Sequence, residues 1–295
     1  MKQIKFSETL SLSQIVYGVW RWNGNQSNLE RRKIIDICLN EGIDSFDHAD
    51  IYNDYANEAY FGEILKKEPS LRKEIKIITK CGIQLISNSR PENYVKHYNY
   101  CAEHIITSVD NSLKNLHTDF LDLLLLHRPS PLLNIHETAT TLEKLIESGK
   151  VRHIGVSNFS PSQFSLLQSA LSSPLITNQI ELNLFHHFPL TDGTIDFLYE
   201  RNIKPMIWSP LAGGQIFNSE NELMQKTLKQ VNEKYNTTTE ALCLSWLIKH
   251  PANLVPVIGT NNPKRIITAA AAEKTNLTLQ DWFLLYEVAL GKPVP

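Results

Sequence analysis

Eight short apolar runs alternate with amphipathic helical segments along this chain, and several of the runs stop at a polar residue. Such alternation points to helices packed on a parallel sheet, because parallel strands need helix-sized crossovers between them. The candidate strands are IVYGVW (15–20), IDSFD (43–47), EIKIITK (74–80), FLDLLLLH (120–127), VRHIGVSNF (151–159), TNQIELN (177–183), KPMIWSP (204–210) and LVPVIGTN (254–261). Helical patterns fill 28–41, about 55–67, 102–116, 134–148, 160–171, 192–202, 219–235, 238–249, 263–273 and 278–289. The clearest helix start is Ser160 as cap, Pro161 in the first turn and Gln163 three residues after the cap. Residues 1–14 read as short strands or a hairpin. Residues 82–101 form a long polar link, a length expected of a segment that lines or covers a site.

Two architectures fit this order. One is a single-domain (β/α)8 TIM barrel over residues 1–295, preceded by the short N-terminal strand or hairpin. The other is an open, doubly wound sheet, whose GxGxxG fingerprint is missing because the first strand runs into GVWRWNG. Polar residues at several strand exits favour the barrel, which builds its sites at that end.

Four of these residues are the parts of a tuned proton transfer: Asp47, Tyr52, Lys80 and His127. A phenol is a weak acid near neutrality and needs help. Lys80 would favour the phenolate of Tyr52, Asp47 would keep Lys80 charged and oriented, and a neutral His127 would aim a substrate oxygen. Taken alone, Asp47 and Lys80 could be an ordinary barrel-end salt bridge and Tyr52 a rim residue. A second cluster lies on later strands. Ser157, Asn158 and Gln179 suit a carboxamide, and Trp208 could stack on a flat ring. The turn-rich SPLAGG (209–214) and the GTNNPKRI segment offer backbone donors and a helix start to phosphates, with Arg265 adding a forked cation.

Composition narrows the partners. The 29 Lys and Arg nearly balance 31 Asp and Glu, a formal net charge of -2, so neither a nucleic acid nor a membrane is expected as a partner. Cys38, Cys81, Cys101 and Cys243 show no CxxC spacing, and residues 1–14 lack a signal-peptide core, which together suggest a cytoplasmic setting. No histidine spacing suggests a metal site, and no GxSxG elbow suggests a serine hydrolase.

The chain closely resembles the aldo-keto reductases over essentially its whole length. DHADIYNDYANEAYFG, IITK, LLLLHRP, GKVRHIGVSNF, NQIELN, WSPLAGG and IGTNNPKRI follow the family order, and the ending LGKPVP is similar to a bacterial oxidoreductase branch. The resemblance implies a (β/α)8 barrel holding NADP(H) in extended form without a Rossmann domain. It implies reduction of an aldehyde or ketone to an alcohol, with Tyr52 donating the proton, Lys80 and Asp47 assisting and His127 orienting the oxygen. It also implies a cofactor groove along Gly18, Trp20, Asp47, Ser157, Asn158, Gln179, Trp208, Ser209, Leu211, Gly213, Gly214, Ile258, Gly259, Thr260, Asn261 and Arg265.

Departures from the family pattern matter. Trp208 stands where many members have Tyr. Gly259 replaces a Lys common beside the 2'-phosphate, and Thr268 and Ala269 replace Glu and Asn near adenine. Arg265 keeps the expectation at NADPH over NADH. Asn53–Ala56 are extra residues after Tyr52. Trp20 and Trp22, the 82–101 link and Phe185–Phe188 are expected at the pocket rim, and the short C-terminal segment suggests an open site with broad, modest activity. The alternative function is a nucleotide-binding regulatory or interaction subunit with little turnover. No oligomeric partner is predicted.

Overall fold

The structure is a computed structural model that describes residues 1–218 and 220–295. Strands β1 (Gln3–Lys5) and β2 (Ser11–Ser13) form an antiparallel hairpin. The barrel strands are β3 (Val16–Gly18), β4 (Ser45–Asp47) and β5 (Lys76–Cys81). After a small antiparallel pair, β6 (Ile83–Gln84) and β7 (His97–Tyr98), come β8 (Leu123–Leu126) and β9 (Ile154–Ser157). The last three are β10 (Leu175–Glu181), β11 (Met206–Trp208) and β12 (Val255–Ile258). The eight pair in parallel in chain order, and β12 closes on β3, giving a (β/α)8 barrel.

The N-terminal hairpin is the floor of this barrel. Ile4, Phe6, Leu10 and Leu12 are buried together with Val16, Ile78, Leu123 and Leu125 in one apolar cluster. Each such side chain contributes about 1.5–3 kcal/mol of burial, so the floor is a substantial part of the core. The other end is left to polar residues and loops, the usual division of labour in this architecture. Between barrel and outer helices, packing is close. Gly62, in the helix Asn57–Lys67, could not carry a Cβ, which would lie 1.8 Å from the Asn115 carbonyl oxygen at the end of the helix Ala102–Asn115.

Local signals explain the helix ends. Ser160 and Gln163 form the reciprocal capping box of the helix Pro161–Gln168, an arrangement that satisfies two orphan N–H groups. The expected helix over 219–235 begins at residue 219, which lies outside the described residues; the helix runs Glu222–Tyr235, and the Asn221 side chain accepts from the Met224 N–H at its start. The link over 82–101 differs from expectation by containing the β6–β7 pair. The inserted segment after Tyr52 holds this region down: the Leu85 N–H donates to the Tyr55 hydroxyl, the Ser87 hydroxyl donates to Asp54, and Arg90 sits 4.7 Å from the Tyr55 ring. Asn53, Asp54 and Tyr55 all have positive φ, a left-handed turn that non-glycine residues adopt at some cost.

Candidate active site

Strand ends converge on a cavity of about 660 Å³, within the range of small-molecule and cofactor sites. Asp47 ends β4, Lys80 lies one residue before the end of β5, and His127 directly follows β8. Tyr52 comes from the loop after β4. Its carbonyl accepts from the N–H groups of Ala56 and Asn57, so the left-handed insertion turns the chain back onto the tyrosine. The four residues come together. Lys80 Nζ donates to Asp47 Oδ2 (2.6 Å), to the His48 carbonyl (2.8 Å) and to the Tyr52 hydroxyl (3.2 Å). These contacts match the three protons of an ammonium. Because Tyr52 accepts from Lys80, its own proton is left for a partner in the cavity that Tyr52 and His127 both line. Lys80 does not line the cavity; it stands behind Tyr52, 1% exposed.

Burial shapes the electrostatics. It raises the Tyr52 pKa, and the nearby Lys80 charge opposes this without reversing it. The phenol is therefore held protonated; the expected push of Lys80 toward phenolate is present but outweighed by burial. Burial works against the Lys80 charge, but Asp47 and Tyr52 outweigh it and raise its pKa. Burial, followed by the charges of Lys80, Arg128 and Lys96, holds His127 well below the usual histidine range, so its imidazole is neutral. His48, next to Asp47 in sequence, is a core residue: neither ring nitrogen has a hydrogen-bond partner among the described residues, the ring packs edge-on to Phe61, and burial lowers its pKa to about 3. Two buried carboxyls lie in the same segment. Burial, with Glu58 adding repulsion, pushes Asp50 up to about 8, and burial pushes Glu58 up to about 7.

The second cluster is joined to the first through Asp47. Gln179 Nε2 donates to Asp47 Oδ1 (3.0 Å), while Oδ2 serves Lys80. Ser157 Oγ donates to the Gln179 carbonyl, Asn158 Nδ2 donates to Ser157 Oγ, and Trp208 Nε1 donates to Asn158 Oδ1 (2.8 Å). Tryptophan at position 208 thus adds a fixed donor to its flat ring. Along the same groove, Ser209, Ala212, Gly213 and Gly214 have positive φ, and a Cβ on either glycine would meet nothing within 4 Å. A turn that presents open backbone in this way can follow a phosphate chain. Thr260 and Asn261 lead to the helix Pro263–Ala270, whose first turn carries Arg265. Gly18, Trp20, Leu211, Ile258 and Gly259 complete the wall, so every expected groove residue lines this one cavity. The open turn, helix start and cation fit an extended dinucleotide.

Several lining residues were not singled out in the sequence. Arg21 donates from Nη1 to the Gly259 carbonyl (3.2 Å) and from Nη2 to the Gly213 carbonyl (3.4 Å), bringing a cation to the place where Gly259 lacks a lysine. Glu240 pairs with Arg265 at 3.6 Å. Lys96 and Arg128 line the end that holds Tyr52 and His127. Arg21 and Arg128 sit just past strand exits, a signal the sequence does carry; the Glu240 contact is long-range and has none. The two rim tryptophans part company. Trp20 is exposed and meets Tyr52 edge-on with ring centroids 4.9 Å apart. Trp22 is corrected to a core residue, 1% exposed, stacked on Phe61 and donating to the Tyr17 hydroxyl. Among the described residues, no group of three or more His, Cys, Asp or Glu could hold a metal ion, and no helix is long and apolar enough to cross a membrane.

A parallel barrel with a buried Lys-Asp-Tyr group beside a groove at the strand exits defines an oxidoreductase-type site. Residues 14–289 match the Aldo/keto reductase family, and the chain belongs to that family. It is 45% identical to a 6-dehydroglucose reductase of Agrobacterium fabrum, with all of both chains covered. It is 43% identical to the oxidoreductase YdhF of Escherichia coli, over 96% of this chain and 95% of that one. It is 40% identical to the uncharacterized oxidoreductase YcsN of Bacillus subtilis over the full length of both. A solved thermostable aldo-keto reductase, Tm1743 in complex with the inhibitor epalrestat, superposes with a TM-score of 0.82 at 21% identity, covering 98% of this chain and 100% of that one, and so shares the fold. The chain is accordingly an oxidoreductase of the aldo-keto reductase type.

Proposed function

We propose that this protein reduces aldehydes or ketones to alcohols with NADPH, and that Tyr52 is the proton donor. The observation that carries this reading is the direction of one hydrogen bond. Lys80 donates to the Tyr52 oxygen, leaving the phenol proton free toward the cavity. When bound, a reduced nicotinamide supplies the hydride. Tyr52 delivers its proton to the carbonyl oxygen as charge develops there. Lys80 then stabilises the phenolate at 3.2 Å, and Asp47 keeps the ammonium in place. Neutral His127 donates a hydrogen bond to the same oxygen and aligns it. Trp20, exposed beside Tyr52, covers the outer side of the reacting group.

Trp208, Asn158, Ser157 and Gln179 form a connected set suited to a carboxamide and a flat ring. Arg265 and Arg21 supply positive charge for phosphates, which favours NADPH; the Glu240 partner of Arg265 reduces that margin. The intact Asp47, Tyr52, Lys80 and His127 group favours turnover over a purely regulatory role. The 6-dehydroglucose reductase relative makes a sugar-like aldehyde the first substrate to try. Four free cysteines fit a reducing cytoplasm. The test is NADPH oxidation by purified protein with a panel of aldehydes, beside fluorescence titrations of NADPH and NADH. Selective NADPH binding and aldehyde-dependent oxidation are expected. Folded protein that binds neither nucleotide would refute the reading.

A further inference from the structure

Two cations face the Tyr52 end of the cavity with no carboxylate paired to them among the described residues. Arg128 directly follows His127 at the exit of β8, and Lys96 comes from the segment just before β7; both line the cavity. Of the other site cations, Lys80 pairs with Asp47 and Arg265 with Glu240, while Arg21 donates to the Gly259 and Gly213 carbonyls. Neither Arg128 nor Lys96 forms an ion pair among the described residues. The two acidic residues lining the cavity, Asp47 and Glu240, are those already engaged.

Arg128 is built into place. The Tyr100 hydroxyl donates to the Arg128 carbonyl and accepts from the Arg128 N–H, which ties the end of the β6–β7 segment to the β8 exit. Its half-buried guanidinium reaches to 5.3 Å from the Trp208 ring centroid. Lys96 is exposed. The fields of both cations reach His127. A partly desolvated cation without a counter-ion has lost hydration and gained no Coulomb attraction, and two cations facing one cavity repel each other. A bound anion relieves both costs. A guanidinium offers a planar fork to a carboxylate or phosphate, and an exposed ammonium steers such a group inward.

Resting on the carbonyl-reduction reading, we propose that Arg128 and Lys96 form an anion-binding subsite, and that the preferred substrates are carbonyl compounds carrying a carboxylate or phosphate group away from the reacting carbon. Tyr52 and His127 would engage the carbonyl oxygen while Arg128 and Lys96 hold the charged end. The subsite acts on substrate choice and leaves the proton donor unchanged.

The test compares matched aldehydes: 4-carboxybenzaldehyde with 4-(hydroxymethyl)benzaldehyde, and glyceraldehyde 3-phosphate with glyceraldehyde. A charged hydrogen bond corresponds to a preference of about tenfold or more in kcat/KM for the anionic member. This preference should arise mainly in KM and shrink as salt is raised. Arg128→Met and Lys96→Met should each reduce it, the former toward one, while Arg128→Lys retains part of it. Calorimetric titration of benzoate against benzyl alcohol into the NADPH-saturated protein reads the subsite without turnover. Selective benzoate binding lost in Arg128→Met would sustain the subsite even if no aldehyde were reduced, and in that case the reductase reading alone would fail. A wild-type preference near one in both assays would overturn the subsite. So would a preference that survives both Met variants, or an Arg128→Met variant that loses NADPH affinity with its anion preference intact; the last result would assign Arg128 to the cofactor.

Discussion

Replacing Tyr52 with Phe removes one oxygen and separates chemistry from folding. That oxygen accepts one hydrogen bond, from Lys80 at 3.2 Å. Lys80 keeps Asp47 at 2.6 Å and the His48 carbonyl at 2.8 Å, so its charge remains paired and held. The aromatic ring still packs against Trp20 and His127. The stability loss should stay within the roughly 1.5–3 kcal/mol of a single hydrogen bond to a charged group. General acid catalysis contributes about 10²–10⁴-fold, equivalent to about 3–5 kcal/mol of barrier at ~1.36 kcal/mol per decade. His127 is a poor substitute, because burial and three nearby cations keep it unprotonated. The assay is single-turnover reduction of an aldehyde by enzyme saturated with NADPH, with nucleotide affinity measured separately by fluorescence quenching. We expect the rate to fall by at least about 100-fold and NADPH affinity to change little. A Tyr52→Phe rate close to wild type in folded protein would refute the donor assignment.

Arg265→Ala should weaken NADPH more than NADH, measured by parallel titrations; equal weakening would mean that Arg265 serves a part common to both nucleotides, or the fold. Asp47→Asn should lower both turnover and nucleotide affinity, since an amide cannot accept fully from both Lys80 and Gln179 as the carboxylate does. A variant affected in one property alone would break the proposed link between the two clusters. Asp50 and Glu58, raised by burial to about 8 and about 7, stay protonated in the fold at pH values where the unfolded chain has already lost those protons. The folded state therefore binds more protons across that window, and their contribution to stability is lost as pH rises from the ordinary carboxylate range through about 8. Asp50→Asn should flatten the fall of Tm measured between mildly acidic and mildly alkaline pH; an unchanged slope would refute the raised Asp50 pKa.

Much of the site was legible because strand exits are visible in a sequence. An apolar run such as LLLL must be buried, and the first polar residue after it, His127, stands where the apolar strand ends. Lys80 and Trp208 were readable in the same way. The chain direction after an exit is harder to read. Past Gly18 the backbone turns into a short 3-10 helix, Val19–Arg21, so strand alternation stops there. Trp20 then points outward while Trp22 turns into the core, a distinction two similar residues cannot signal by type. The β6–β7 pair was missed because each strand has two residues and the second is exposed, leaving no apolar alternation. Glu240 and Arg265 meet through the fold across 25 positions (265 minus 240), and nothing local to either announces the other.

Asp47 joins the Tyr52–Lys80 group and the Ser157–Trp208 cluster into one connected set of side chains. A carboxylate has two oxygens, and here each holds a donor from a different strand: Lys80 on β5 and Gln179 on β10. Lys80 in turn fixes the Tyr52 oxygen, and the main-chain carbonyl of Gln179 accepts from Ser157, the start of the chain of contacts that ends at Trp208. A displacement of Lys80 or Gln179 would have to stretch a buried contact to the Asp47 carboxylate, which costs more than shifting a solvated one. Arg128 and Lys96 make none of these hydrogen bonds, one at a strand exit and one in an excursion between barrel strands, so the proposed anion subsite can change without breaking the contacts that hold the Tyr52 oxygen.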